Sequence, residues 1–210
     1  YQAYQRETFR DDDHVRIHPI ITKGGNLVNV VPDEVVIETL VRAANKDAIA
    51  DAAAKTDRAF KAGAIAVGAS CEITTMPGYL PALSEKADAS VLAAAEIAAQ
   101  TSENDYQIVQ EDTHAYSGGS TDVGDVQHLQ PVLTFNTGGK VSGLHSVDFD
   151  IVDDELAYVV TAKIFALSAY RLLRDGAVKA KEIVANYQPI FTKEEYIKYM
   201  DSFIKTETYQ

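Results

Sequence analysis

A single cysteine, Cys71, leaves no intramolecular disulfide to form, and a lone thiol fits a reducing compartment. Cations are scarce: 19 Lys and Arg stand against 31 Asp and Glu, a net charge of -12. Nucleic-acid binding needs clustered Lys and Arg to displace phosphate counterions, so this balance argues against a nucleic-acid partner. It also disfavours an anionic membrane surface. No uninterrupted apolar run reaches the roughly 18–20 residues of a membrane span, and no signal peptide is visible. The expectation is a cytoplasmic protein without a membrane segment. Internal repeats and low-complexity tracts are absent too, and no initiator methionine precedes Tyr1, which reads as a fragment or a processed chain.

What is present suits folding. The 210 residues allow one large domain or two small ones, and 46% hydrophobic with 24% charged residues is ordinary for a globular chain. Residues 1–10 read as the last turns of a helix, and Asp11-Asp12-Asp13 as a turn. Val15 to Thr22 alternates as a strand, with Val15, Ile17 and Ile21 on one face and Arg16, His18 and Ile20 on the other. Pro19 lacks an N–H, which predicts an edge or bulged strand. Gly24-Gly25-Asn26 is a turn, Asn29 to Asp33 leads through a proline, and Glu34 to Ala43 is a β-branched run. Asn45 caps a helix over about Lys46 to Gly68, whose stripe is Ile49, Ala53, Phe60, Ala64 and Val67. With a strand over Ser70 to Met76, this half predicts a ferredoxin-like layout lacking its first strand.

Beyond Met76-Pro77-Gly78 the texture changes. An alanine-rich helix spans Ser84 to Thr101, and Tyr106 to Gln110 reads as a short strand. The stretch from Ser117 to Phe149 is the chemical centre of the chain. Gly118-Gly119 lets backbone approach a ligand, Ser120-Thr121-Asp122 can cap a short helix, Pro131 to Phe135 reads as a buried strand, and His145 follows Gly143 at a strand exit. Asp153 to Leu173 is apolar nearly all round and predicts a buried helix, followed by helices over Gly176–Ala185 and Thr192–Ile204. The fold class is therefore α/β in the broad α+β sense.

Read together, Arg16-Ile17-His18-Pro19-Ile20-Ile21, Gly24-Gly25, Asn29-Val30-Val31-Pro32-Asp33 with Arg42, Gly119 to Val126, and Gly143-Leu144-His145-Ser146 with Phe149 resemble a known family. It is the zinc metallopeptidase and amidohydrolase family of carboxypeptidase G, the aminoacylases and aminobenzoyl-glutamate hydrolase. The branch most like it is the B subunit of aminobenzoyl-glutamate hydrolase. The resemblance implies a ferredoxin-like lid or dimerisation domain over residues 1–76 and the C-terminal part of a metal-binding catalytic domain over residues 77–210. It implies hydrolysis of an amide in a small, carboxylate-bearing substrate: an N-acyl amino acid, an aminobenzoyl-glutamate-like compound or a dipeptide. It also implies two Zn²⁺, or Mn²⁺, per complete site and a homodimer formed through the lid.

By that resemblance His145 is a metal ligand, while Asn29, Arg42, Gly119, Ser120 and Thr121 bind substrate. An arginine fork suits a carboxylate, an amide suits a developing oxyanion, and a Gly-Ser-Thr loop offers N–H and hydroxyl groups. Each position has a plainer explanation: a loop histidine, an Asx turn, a surface ion pair, a helix cap. The chain departs from the family in lacking its His-x-Asp ligands and its Glu-Glu general base; the Glu194-Glu195 pair opens a solvated helix. One histidine cannot hold zinc, so these residues alone are expected to be inactive. The alternative is a non-catalytic dimerisation or ligand-binding module.

Overall fold

The computed structural model describes residues 9–83, 88–109 and 119–210, a mixed α+β arrangement in two compact units. Unit 1 comprises Tyr1–Pro81 and Lys193–Gln210; unit 2 comprises Ala82–Thr192. The helical turns expected in residues 1–8, the start of the alanine-rich helix at Ser84, Gln110, and the Ser117-Gly118 pair lie outside the described residues.

In unit 1, a 3-10 turn over Asp11–Asp13 enters β1 (Arg16–Lys23), which pairs antiparallel with β2 (Val36–Arg42). The register sets Arg16 opposite Arg42, Ile17 opposite Val41 and Pro19 opposite Thr39, and it shifts between Ile21 and Lys23. The sheet has two strands, so the missing N–H of Pro19 interrupts no further ladder among the described residues. Only Ile17 of β1 is buried, and Ile20 and Ile21 are exposed, so the apolar face expected from alternation is covered at one end alone. Helix α1 (Lys46–Ala66) starts as predicted: Asn45 Oδ1 accepts the Ala48 N–H at 2.9 Å. Its buried stripe is Ala48, Ala52 and Thr56, one residue round from the expected stripe, and Val67 lies exposed beyond its end.

Strand β3 (Cys71–Thr75) pairs antiparallel with a strand near the other end of the chain, Lys205–Tyr209, so residues from Lys193 onward belong to unit 1. The expected division at residue 76 puts them with the second half. Pairing across such a sequence separation leaves no local signal, which is why the tail carries no strand expectation. Cys71 is half-buried at the first rung, opposite Tyr209. Thr74 and Thr206 hydroxyls are 3.0 Å apart across this pair.

Unit 2 is built on α2 (Ala89–Gln100), capped by Asp88, whose Oδ1 accepts the Ser90 N–H at 2.7 Å. Ala94 and Ala98 are fully buried, and their small side chains let α2 lie close to a long helix downstream. Short α3 (Val123–Gln127) follows, then a hairpin of β4 (Lys140–Val141) and β5 (Asp150–Ile151). A π-helical turn, Glu155–Val160, runs into α4 (Thr161–Asn186). Val91, Ala98, Val160 and Ile164 form the core, with Leu133, Phe135, Leu156 and Leu167 packed on it. Helix α5 (Lys193–Asp201) and β6 (Lys205–Tyr209) return to unit 1.

Two expectations for unit 2 are corrected. Pro131–Phe135 and Tyr106–Val109 are not strands: no ladder partner among the described residues reaches them, and Leu133, Phe135 and Tyr106 pack on helices instead. The helix through Leu173 is not buried all round, since Phe165 and Tyr170 are more than 60% exposed. One helix, Glu155–Asn186, is long and apolar enough to cross a membrane by length and composition, although Lys163 and Arg171 interrupt it so that it holds no uninterrupted apolar run of that length. Its backbone breaks at Arg174–Ala177, where Asp175, Gly176 and Ala177 have positive φ, and this break separates the two helices read from the sequence.

Two substitutions test this packing. Ser168 is 8% exposed on α4 and its hydroxyl has no hydrogen-bond partner among the described residues. An unsatisfied buried hydroxyl costs about 1–3 kcal/mol, so Ser168→Ala should raise unfolding stability by about 1 kcal/mol in a denaturant melt. Gly139, at φ +89, carries the reverse expectation, because an added Cβ would sit 2.7 Å from the Asp153 carbonyl oxygen and 2.9 Å from the Ala157 nitrogen. Gly139→Ala should cost roughly 2 kcal/mol or more from the left-handed backbone and the clash together. An unchanged melt for either variant would contradict the packing described.

Candidate functional site

The sequence-selected residues fall on three loops and one strand end. Gly119, Ser120 and Thr121 are exposed and lead into α3. The Thr121 carbonyl accepts the Gly124 N–H at 3.2 Å and its hydroxyl donates to Asp122 at 3.1 Å, but Asp122, at the N-cap, makes no side-chain capping hydrogen bond, so the cap expected of this residue is not made. The helix behind it is anchored by two buried residues. Gln127 accepts the Leu83 N–H and donates to the Leu83 carbonyl, at 2.9 and 3.1 Å. His128, 2% exposed, has Nδ1 2.8 Å from the Gly124 carbonyl, a contact in which Nδ1–H donates, and its ring stacks on Phe191. His128 is thus a packing residue; His114 lies outside the described residues.

His145 sits on the turn of the β4–β5 hairpin rather than at the exit of a buried strand. Its φ is +69 and that of Ser142 is +63, and the imidazole is exposed. The turn is held by Ser146 N–H to the Gly143 carbonyl at 3.1 Å and by Asp148, which accepts from the hydroxyls of Ser146 and Ser142, the latter at 2.7 Å. Those hydroxyls, Ser146 first, hold the Asp148 carboxyl below the usual aspartate range. Nothing in the sequence pattern marks Asp148 as the residue that orders this turn.

Asn29 is exposed in the β1–β2 connection, beside the turn in which the Val30 N–H reaches the Leu27 carbonyl at 3.3 Å. Arg42, half-buried, closes β2 at the opposite end of the hairpin. The length of β2, roughly 20 Å at about 3.3 Å per residue, lies between them. The hairpin therefore does not bring Asn29 and Arg42 together. Glu38 is four positions from Arg42 along β2, about 13 Å by the same rise, too far for a surface ion pair between them.

A cleft of about 520 Å³ in unit 2 is lined by Thr101, Glu103, Asp154, Glu155, Tyr158, Val159 and Lys163, none of them selected from sequence. Its polar groups serve the start of the long helix. Glu155 accepts from the Glu103 N–H at 2.7 Å and Asn104 at 2.9 Å, and Lys163 donates to the Thr101 carbonyl at 2.8 Å. Among the described residues, no three His, Cys, Asp or Glu side chains gather in an arrangement that could hold a metal ion. His145 offers a single imidazole, which by itself cannot hold a metal ion, and nearby Asp148 accepts from two hydroxyls. No protein-family model, curated protein or solved structure matches this chain.

The Asp148 turn has a pH signature. A carboxyl whose folded pKa is depressed contributes stability above its unfolded pKa, and loses that contribution as pH falls through the folded value. In an acid titration followed by NMR, Asp148 should titrate below an ordinary aspartate, about 3.9, and Ser146→Ala should move its midpoint upward. Identical midpoints in the two proteins would show that the hydroxyl does not hold the turn.

Proposed function

We propose that this chain is part of a metal-dependent amidohydrolase or peptidase, acting on an amide of a small N-acyl amino acid, aminobenzoyl-glutamate-like or dipeptide-like substrate. In this reading residues 1–76 are most of a ferredoxin-like lid that dimerises, with Lys193–Gln210 part of the same unit, and the unit Ala82–Thr192 belongs to the metal-binding domain. The observation that carries it is His145: exposed, at positive φ, on a turn ordered by Asp148, it presents an imidazole on a constrained backbone. A residue that serves packing has no need of that exposure. The ordered motifs from Arg16 to Phe149 supply the chemical class.

His145 would give one neutral imidazole nitrogen to one of two Zn²⁺ or Mn²⁺ ions. When bound, such ions lower the pKa of a water that attacks the amide carbonyl. The 210 residues carry neither the family's His-x-Asp ligands nor its Glu-Glu base, so the chain is proposed to be inactive alone. Gly119, Ser120 and Thr121 orient the carboxylate end of the substrate through N–H and hydroxyl groups. Asn29 and Arg42, separated on one hairpin, serve one ligand only if different copies of the lid contribute them, which fits a homodimer.

A second reading, a non-catalytic association or ligand-binding module, is favoured by one feature. Leu27, Val28, Val30 and Val31 in the β1–β2 connection are all more than half exposed, as are Ile20, Ile21 and Leu40 on the strands. Contiguous apolar exposure of this kind marks an interaction surface.

His145→Ala in the full gene product separates the two. The proposal expects loss of bound metal at one site and nearly all turnover of an N-acyl amino acid, with the melting temperature unchanged. Wild-type metal content with wild-type turnover would remove His145 from the site, and a lowered melting temperature with normal metal content would return it to packing.

A further inference from the structure

We infer that the open face of α4 in unit 2 is a seat for the same face of a second copy of this chain, in an antiparallel helix pair. Tyr158, Phe165, Tyr170 and Leu173 are each more than 60% exposed, and Val159, Ala162, Ala166 and Ala169 stand exposed between them. These positions recur at three- and four-residue spacing, opposite the buried line of Val160, Ile164 and Ser168. Charged side chains keep off the face. Lys163 donates to the Thr101 carbonyl at 2.8 Å, and Arg171, half-buried, follows Ser168 by three residues on the other side. At about 150–250 Å² per aromatic side chain, the three open rings and the residues beside them offer roughly 500 Å² on each copy. A pair then buries about 1,000 Å² in total, the threshold expected of a specific interface.

Shape and charge both select a second copy as the occupant. Ala162, Ala166 and Ala169 leave room between the aromatic rings, and small side chains let two helices approach to about 8 Å. Unit 2 already packs this way where Ala94 and Ala98 of α2 meet the other side of α4. The helix carries Asp154 and Glu155 at its start and Arg171 and Arg174 toward the break. An antiparallel pair centred on Ile164 sets Ala162 opposite Ala166, Tyr158 opposite Tyr170 and Asp154 opposite Arg174. Each contact then occurs twice about a two-fold axis. Arg174 lies 3.5 Å from Asp175, an exposed pair of little worth, which leaves it able to exchange acceptors. In the pair it arrives beside the cleft lined by Glu103, Asp154 and Glu155. A lipid surface fits less well, because this rim is acidic and the chain carries a net charge of -12. The pairing needs neither reading of the function, and it uses a surface of unit 2, whereas the β1–β2 connection belongs to unit 1.

Analytical ultracentrifugation of the 210-residue chain at micromolar concentration tests the pairing. The wild type should associate, and Phe165→Glu should halve the mass of the assembly, whatever other contacts hold it. Arg174→Asp should weaken association at least tenfold, and the Asp154→Arg/Arg174→Asp double variant should recover most of it. A packing change within the monomer cannot produce that rescue. Should Phe165→Glu fail to fold, Ala162→Cys and Ala166→Cys, each on a Cys71→Ser background, carry the test. Mixed under mild oxidation, they should yield a linked dimer faster than either alone. A monomeric wild type, equal association in Phe165→Glu, or no rescue by the charge swap would overturn the pairing. Binding of the monomer to phospholipid vesicles, lost in Phe165→Glu, would overturn it in favour of a membrane. Dissociation by Val28→Asp with Phe165→Glu still associated would move the contact to the β1–β2 connection.

Discussion

The contact between the alanine-rich helix α2 and helix α4 is the constraint on which unit 2 depends. Ala94 and Ala98 are fully buried, so the two helix surfaces approach with nothing larger than a methyl group between them on that side. Val91, Val160 and Ile164 complete the seam, and Leu133 and Phe135 close over it, the latter with its ring 4.7 Å from that of Phe165. Once those two side chains are placed, Gly138 and Gly139 must run against the start of the long helix, and the Gly139 carbonyl takes the Val152 and Asp153 N–H groups. That attachment fixes the base of the β4–β5 hairpin. The exposed turn bearing His145 is therefore positioned by a helix seam formed elsewhere in the sequence.

Unit 1 is organised differently. Its β1–β2 sheet buries little: Ile17 and Ala43 are the buried apolar residues at its arginine end. A two-stranded sheet with one covered face is marginal alone, and here α1 supplies the cover through Ala48, Ala52 and Thr56. The other face is left to carry charge and apolar side chains outward. That asymmetry puts Arg16, Arg42, His18 and Leu40 on a common surface. Leu27, Val28, Val30 and Val31 stand exposed at the far end of the same hairpin.

Much of the local structure was legible. Asn45 begins α1 because its side chain satisfies an N–H three residues on, an interaction written into adjacent sequence. The break at Arg174–Ala177 coincides with the Gly176 boundary between two expected helices. The alternation of β1 correctly put Arg16 and His18 on one face. The strand expected at Pro131–Phe135 fails because an apolar run reports burial, and a helix surface buries it as well as a sheet does. The candidate residues were legible as types and not as a constellation. Asn29 and Arg42 share a hairpin yet stand at its two ends, and His145 rides a turn whose ordering residue, Asp148, has no motif.

By itself the sequence determined the elements whose bonds close within a few residues: the capped helices, the glycine turns, the alternating strand and the mixed α+β class. It determined too the scarcity of cations, 19 Lys and Arg against 31 Asp and Glu. Tertiary structure alone decided which partner each element found. It joined Cys71–Thr75 to Lys205–Tyr209, placed Arg16 opposite Arg42, and chose Val160, Ile164 and Ser168 as the buried line of a helix that is apolar on most sides. The physical reason is range. Hydrogen bonds within a turn are specified by neighbouring side chains, whereas strand register and helix facing are settled by competition among surfaces far apart in the chain, where the best-packed pairing wins.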